Sequence, residues 1–580
     1  MGSGSFKSPT QDNDWLFCAR VIGFAFEKQI DWSVGFSHDG GLDLTLGYLN
    51  IFTLPPFDIF TATHHLDIMP GSNLEKMDGI RPGSQRTLTP SDNGSDAAKP
   101  RDEETTKEAA ESQDPNAVGW DGPDDPENPM NWPAKKKWSC IGALSVMTLL
   151  TPLGSSMFAP GVPDIMREFE TGNRNIATFV VSVYVLGFAF GPLLAAPLSE
   201  IYGRAIVFNV ANVLFLIMTI ATALSTNMPM LIVFRFLMGF TGSTPVTNGS
   251  GTISDIFPVQ ERGKAMAVWA MGPLLGPCIG PLAGGYMVEA IGWRWVFWLI
   301  AILTGFIGVL CYFAAPETYG PTLLRRKTKK LQKETGNQDL YSVLDMDGLT
   351  AKQRLSHACI RPMKMLFTQP PVFILSLYVA VVYGVLYLMF STFTFVFAQQ
   401  YGFGTGTIGL AYLPTGIGML LGTITFGIMT DVVIKKKIAQ NGKTVPEDRL
   451  PIWMTLPSGL LIVGALFWYG WSADQHTHWI VPMIGVALFC FGLMGIMMCL
   501  QTYLVDAYIT YAASVVAAMT VLRSLAGAIL PLAGLSMYDD LGLGWGNSVL
   551  AFLALVLVPV PVIFCLYGPK IRAKSPNNLG

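Results

Sequence analysis

Two arginines stand where a charge is expensive. Arg235 interrupts the apolar run MPMLIVFRFLMGF, and Arg523 interrupts ASVVAAMTVLRSLAGAILPLAG. A guanidinium at hydrocarbon depth costs about 3 kcal/mol on insertion scales, so a charge kept there usually serves binding or ion pairing. Each has a plainer alternative. Arg235 lies only a few residues into its run and could snorkel to the interface, and Arg523 could hydrogen-bond neighbouring carbonyls. Four carboxylates, Glu200, Asp255, Asp431 and Asp506, sit instead at the ends of apolar runs, with Arg204 four residues beyond Glu200. They read as gate residues or as helix caps.

Other chemistries lack their residues. The six histidines, His38, His64, His65, His357, His476 and His478, all fall outside the apolar runs. That argues against a membrane metalloenzyme or a histidine-based acyltransferase, and no metal site is expected. The eight cysteines form no C-x-x-C pair, which makes metal or disulfide roles unlikely as an organising principle. No G-x-x-x-x-G-K-[ST] loop occurs, so nucleotide hydrolysis is not the expected energy source. A net charge of -3 points to no nucleic-acid partner. The expectation is a non-enzyme without a cofactor.

Two further patterns concern shape and surface. From Ala270 the chain reads AMGPLLGPCIGPLAGGY, with Gly272, Gly276, Gly280 and Gly284 every four residues and Pro273, Pro277 and Pro281 after the first three. In water this density of Gly and Pro would forbid a helix. In lipid, neighbouring helices absorb the disruption, and glycines four apart bare a strip of backbone for close approach. The second pattern is aromatic. Tyr383–Tyr387 and Phe390–Phe393–Phe397 recur at helical spacing, so they either line a cavity for flat, amphipathic molecules or pack. Asn209, Asn212 and Asn248 add polar groups that serve packing or ligand contact.

The elements that carry these residues are membrane helices. The chain has 580 residues, 51% hydrophobic and 14% charged, with a mean hydropathy of +0.42; soluble domains carry about 25% charged residues. Apolar runs near 138–158, 177–199, 206–225, 229–250, 265–288, 294–315, 372–397, 407–430, 451–471, 479–502, 511–534 and 547–568 are each long enough, at about 20 residues, to cross a bilayer. The expected fold is an all-α membrane protein of two six-helix bundles, 138–315 and 372–568. A hydrophilic loop, 316–371, joins them, and a tail, 569–580, ends the chain. Residues 1–137 read as an N-terminal tail, mostly disordered by composition from about Asp78. For residues 1–68 two readings stand open: a wrongly placed translation start, with Met69 or Met77 as the true one, or a genuine extension.

Basic residues orient the chain. With a cytosolic N-terminus, the inner loops hold Arg204, Arg262, Lys264, Lys435, Lys436, Lys437, Lys443 and Arg449, and the central loop adds Arg325 to Lys333. The outer loops hold only Arg167, Arg174 and Arg294. Both termini are therefore expected inside. An internal repeat supports two homologous bundles: Gly187, Gly191, Ala196 and Glu200 reappear 231 residues later as Gly418, Gly422, Gly427 and Asp431. Two such repeats around a midplane site are the layout of a secondary transporter.

With those features in view, the chain resembles the major facilitator superfamily, and within it the twelve-helix fungal drug:proton antiporters, a group that includes polyamine exporters. The similarity covers about residues 120–570. It rests on WDGPDDPENPMNW (120–132), GPLLAAPLSEIYGR (191–204), RFLMGFTGSTPVTNGSGTISDIF (235–257), RGKAMA (262–267) with the glycine-proline stretch after it, WRWVFW (293–298), PETYGPTLL (316–324) and Tyr503-Leu504-Val505-Asp506. The resemblance implies a major facilitator fold and efflux of hydrophobic or amphipathic molecules driven by protons, from a monomer in the plasma membrane. It implies that Glu200 and Arg204 close the inward face, Glu200 meeting the start of helix 11 near Ala512 to Ser514, and that Arg235 takes part in proton transfer. Ala196 and Glu200 depart from the superfamily pattern of Gly and Asp. The alternative is a polyamine or organic-acid transporter of the same fold. No Asp or Glu lies at the centre of helix 1 or 4, so the proton carrier is not identified.

Overall fold

The computed structural model describes residues 116–258, 261–345, 351–442 and 444–573; the open question about residues 1–68 lies outside them. The first six spans are α1 (Ala134–Ser156), α2 (Arg174–Tyr202), α3 (Arg204–Ala223), α4 (Met228–Ile256), α5 (Arg262–Ile291) and α6 (Trp293–Ala314). After the central loop come α7 (Pro370–Tyr401), α8 (Leu413–Asn441), α9 (Ile452–Asp474) and α10 (Ile480–Ala507). A final continuous run, Ala512–Ala573, is 62 residues long. At 1.5 Å per residue that is about three times the thickness of a hydrocarbon core, so it cannot be a single crossing. Gly542, at φ 76° and ψ 169°, breaks it, giving α11 (512–541) and α12 (543–573).

The break has a counterpart in the other half. Gly292, at φ 90° and ψ 161°, turns α5 into α6 with no intervening loop, just as Gly542 turns α11 into α12. Both conformations are open to glycine and strained for other residues. One glycine thus reverses the chain between the fifth and sixth helices of each half. The two glycines lie 250 residues apart (542 − 292), so the halves echo each other here without keeping the 231-residue offset of α2 and α8.

The helices hold together chiefly through apolar surface and small residues. α2 packs on α4 and α1 on α5 within the first half; α7 packs on α11 and α10 on both α8 and α9 in the second. The halves meet along α2 with α11 and along α5 with α8. Because the number of crossings is even, α1 starts and α12 ends on one side, here the termini side, opposite a far side. Internal prolines, such as Pro192 and Pro197 in α2, leave the helices continuous, as neighbouring helices allow in lipid.

The connections depart from expectation in two places. The central loop is not featureless: it holds helices Gly320–Thr335 and Ala351–Thr368. The end of the N-terminal tail is ordered too, and α1 begins at Ala134 rather than 138. Ala117–Val118 pairs in parallel with Tyr341–Ser342. Lys327 of the loop helix reaches Asp121 at 2.7 Å and Asp125 at 3.5 Å. Asp125 also accepts from the backbone N–H of Asp121 and of Glu127. Those two N–H groups, with Lys327 adding its charge, hold its carboxyl below the usual range. The reason composition missed this is physical: polar chain folds when its partners are the backbone and a distant lysine, and neither partner leaves a local signature.

Candidate functional site

Arg235 lies one-quarter of the way along α4 and is fully buried. It does not snorkel. Its Nε donates to the Val180 carbonyl at 3.0 Å, Nη1 to Gly154 at 2.7 Å and Nη2 to Ser155 at 3.0 Å. Its guanidinium carbon lies 3.9 Å from the centroid of Phe158 and 5.1 Å from that of Tyr184. The fork shape of guanidinium suits such a set of convergent acceptors. Two of these acceptors, Gly154 and Ser155, lie in the last turn of α1, where carbonyls are left without helical partners, and the third, Val180, belongs to the body of α2. Among the described residues no carboxylate pairs with Arg235. The geometry is that of a cation tying α1, α2 and α4 together.

Arg523, half-buried in α11, is arranged differently. Its guanidinium carbon lies 5.1 Å from the centroid of Tyr383, and its Nε is sealed from solvent without a hydrogen-bond partner. The rings of Tyr383 and Tyr387 are 5.1 Å apart, both half-buried. Tyr387 also stands beside Ser155 of α1. One turn beyond Arg523, Gly527 lets α11 approach Val185 of α2 and Tyr383 of α7. Arg523, Tyr383 and Tyr387 thus gather at mid-depth where the two halves adjoin.

Of the remaining aromatic candidates, Phe390 touches Tyr387 edge-on at 5.5 Å between centroids, but both phenylalanines turn into the core. Phe390 and Phe393 are buried in the second half, packed on Tyr412 at 5.8 and 5.2 Å between centroids. They are core, because helical spacing alone does not say which stripe of a helix faces a cavity. Asn248 is likewise committed: its Nδ2 donates to the Ala195 carbonyl at 3.2 Å and its Oδ1 accepts from Ser199 at 3.3 Å. It fastens α4 to α2 and is not free to meet a ligand.

The charges at the termini side form two intra-half clusters. Arg204, 8% exposed, pairs with Asp255 at 3.2 Å and donates to Ser199 at 2.5 Å. Glu317, just after α6, accepts from the backbone N–H of Arg204 at 2.9 Å and of Ala205 at 3.3 Å. It caps the positive end of α3. In the second half Arg449 pairs with Asp506 at 2.7 Å, and Arg572 with Glu447 at 2.9 Å. Arg204, Asp255 and Asp506 therefore bind within their own halves instead of spanning the gap. Glu200 and Asp431 are exposed, and the expected meeting of Glu200 with the start of α11 is not formed. Glu317 was not singled out by sequence. Its signal was present in PETYGPTLL, but nothing local shows that it caps a helix more than 100 residues earlier.

The glycine stripe of α5 finds a definite partner. A Cβ at Gly272 would fall 2.7 Å from the Ser145 carbonyl, one at Gly276 2.5 Å from Pro152, and one at Gly280 3.0 Å from the Ser156 hydroxyl. At Gly284 it would meet the Met157 carbonyl. All four lie against α1. Pro273, Pro277 and Pro281 sit in a helix that stays continuous, and Cys278, on another face, donates to the Leu413 carbonyl at the start of α8 at 3.8 Å. Among the described residues, no cluster of three or more His, Cys, Asp or Glu side chains could hold a metal ion.

Comparison with known proteins follows this geometry. Residues 144–531 match the model of the Major Facilitator Superfamily. The chain is 52% identical over 460 residues to the MFS-type transporter penM of Penicillium rubens, covering 79% of this chain and 90% of that one. It is 48% identical over 486 residues to the efflux pump radE of Floropilus chiversii, covering 82% and 90%. The solved structure of a bacterial homolog to the human lysosomal transporter Spinster aligns with a TM-score of 0.52 at 14% identity. It covers 77% of this chain and 99% of that one, a likeness of fold alone.

Proposed function

Since the chain belongs to the Major Facilitator Superfamily, we propose that it exports hydrophobic or amphipathic small molecules in exchange for protons. It is a multi-pass membrane transporter and not an enzyme. In this reading the proton gradient is the only driving force and no cofactor is needed. The cargo is an antifungal compound or a product of secondary metabolism, and the working unit is a monomer. It works in the plasma membrane, and the basic residues of the inner loops favour both termini in the cytosol. The two halves rock about a midplane site, opening alternately to either side.

The observation that carries the direction of transport is the 48% identity to a protein named an efflux pump. Tyr383 and Tyr387 support the cargo class, because their half-buried rings offer flat apolar faces with polar tips at mid-depth. The polyamine alternative is disfavoured by charge: in the described spans every Asp and Glu lies toward a helix end. A polycation would find no carboxylate at mid-depth and would meet Arg523.

Sealed inside-out vesicles from a yeast expressing the chain test the proposal. A panel of radiolabelled amphipathic aromatic compounds, acidic, neutral and basic, is offered with and without an interior-acid gradient. At least one should accumulate several-fold over control vesicles, and a protonophore should abolish the gain. Gradient-independent accumulation would remove proton exchange, and accumulation of none would remove export of this class.

A further inference from the structure

We infer that Arg523 is the binding group for a negative charge on the cargo, so that the transported molecule is an amphipathic aromatic anion, such as a carboxylate. The inference rests on the transport reading above and narrows its cargo. It is carried by the contrast between the two arginines that lie inside apolar spans. Arg235 has its guanidinium met on every side, by three carbonyls and by the faces of Phe158 and Tyr184. It is complete as it stands. Arg523 has one ring face beside it, Tyr383, and an Nε that is shut off from solvent and has no acceptor.

A cation left so is costly in a membrane interior, and buried polar groups without partners are rare enough to need a reason. Among the described residues nothing supplies the counter-charge. Across the described spans the acids are Glu200, Asp255, Asp431 and Asp506 toward the termini side and Glu289, Asp474, Asp539 and Asp540 toward the far side. None stands near mid-depth with Arg523. Asp255 and Asp506 are in addition taken by Arg204 and Arg449. The counter-ion is therefore brought in by the cargo.

The surroundings say what else the cargo carries. Tyr383 and Tyr387, with rings 5.1 Å apart, form a continuous aromatic face beside the guanidinium. Tyr387 stands beside Ser155 of α1, so a molecule held there touches both halves. A planar ring on the tyrosines with a carboxylate on Arg523 would satisfy both surfaces at once. Guanidinium also favours two-oxygen acceptors over single ones, because its donors form a planar fork. Sitting one turn from Gly527, where α11 closes on α2 and α7, the anion would lie at the edge of the contact between the halves. Its arrival and departure would then be felt by that contact.

The test uses the full chain in nanodiscs of zwitterionic phosphatidylcholine, which excludes anionic lipid as a competing source of charge. Three matched probes are compared by equilibrium binding: 2-naphthoate, the neutral 2-naphthamide and the cation 2-naphthylmethylammonium. The wild-type chain should bind the anion at least about ten-fold more tightly than either. Arg523→Gln should bring the anion to the level of the amide while leaving the amide unchanged, and Arg523→Lys should keep part of the preference. Equal binding of the three probes to the wild-type chain, binding of none, or an undiminished preference in folded Arg523→Gln would overturn the inference. The wild-type comparison needs no variant to fold. Transport in the vesicle panel of neutral or basic compounds only would defeat the anion while leaving export standing; absence of any transport would defeat the broader reading.

Discussion

At the scale of residues, the two intramembrane arginines show how the same side chain inside an apolar span serves different ends. Arg235 makes three hydrogen bonds to carbonyls of α1 and α2. Charge-assisted bonds contribute about 1.5–3 kcal/mol each and do not add, so replacement by Gln should cost roughly 3–5 kcal/mol, the range for breaking a buried charged network. The melting temperature of purified protein should fall by about 3–5 °C for a chain of this size, and Arg235→Lys should recover little, since an ammonium cannot reach three carbonyls placed around a planar fork. A stable Arg235→Gln protein with transport uncoupled from the gradient would overturn this structural role and favour proton transfer. Both arginines were visible in the sequence, because a charge in an apolar run is conspicuous. The sequence could not rank them: the partners of Arg235 are backbone atoms, which carry no residue identity, and the lack of a partner for Arg523 exists only in three dimensions.

The same division between visible and invisible holds for elements. The spans were readable because bilayer thickness imposes a length on every crossing, and the glycine stripe because its period matches one helix face. Which helix fills that stripe was not readable, since glycines advertise a bare backbone but not its visitor. The visitor is α1. Gly276→Ala would place a methyl 2.5 Å from Pro152, and overpacking of this kind costs about 1–3 kcal/mol; Gly276→Leu should abolish folding or transport. Gly142 on α1 has nothing within 4 Å of a Cβ, so Gly142→Ala should be neutral or gain up to about 1 kcal/mol from helix propensity. Thermal unfolding of the two alanine variants side by side checks the claim. Equal effects from both would mean that the α1–α5 contact is not tight. The aromatic period of α7 gave a weaker guide, because a helix repeats its aromatics around more than one face. Tyr383 and Tyr387 point to the mid-depth site, while Phe390 and Phe393 fill the core.

For the whole molecule, the bonds between the halves are unevenly distributed. On the far side Ser182 donates to the Ala528 carbonyl at 2.9 Å, Thr394 to Ala159 at 3.2 Å, and Ser536 bonds Asn175 at 3.1 Å. Toward the termini side, α2 and α11 are bridged instead by the helix Ala351–Thr368. Cys359 donates to the Leu193 carbonyl at 3.2 Å, and Arg361 lies 5.3 Å from the ring of Tyr511. The described state is held shut at the far side and propped at the other. Any cycle that carries cargo through must separate Asn175 from Ser536, both exposed. Their side-chain oxygens lie 3.1 Å apart, which sets the two positions side by side. The pair Asn175→Cys with Ser536→Cys should cross-link under mild oxidation, stop gradient-driven transport in vesicles, and recover it on reduction. Neither single variant should respond to oxidant. Full transport by the cross-linked protein would mean that the far side does not open during the cycle, and that the halves do not move against each other there.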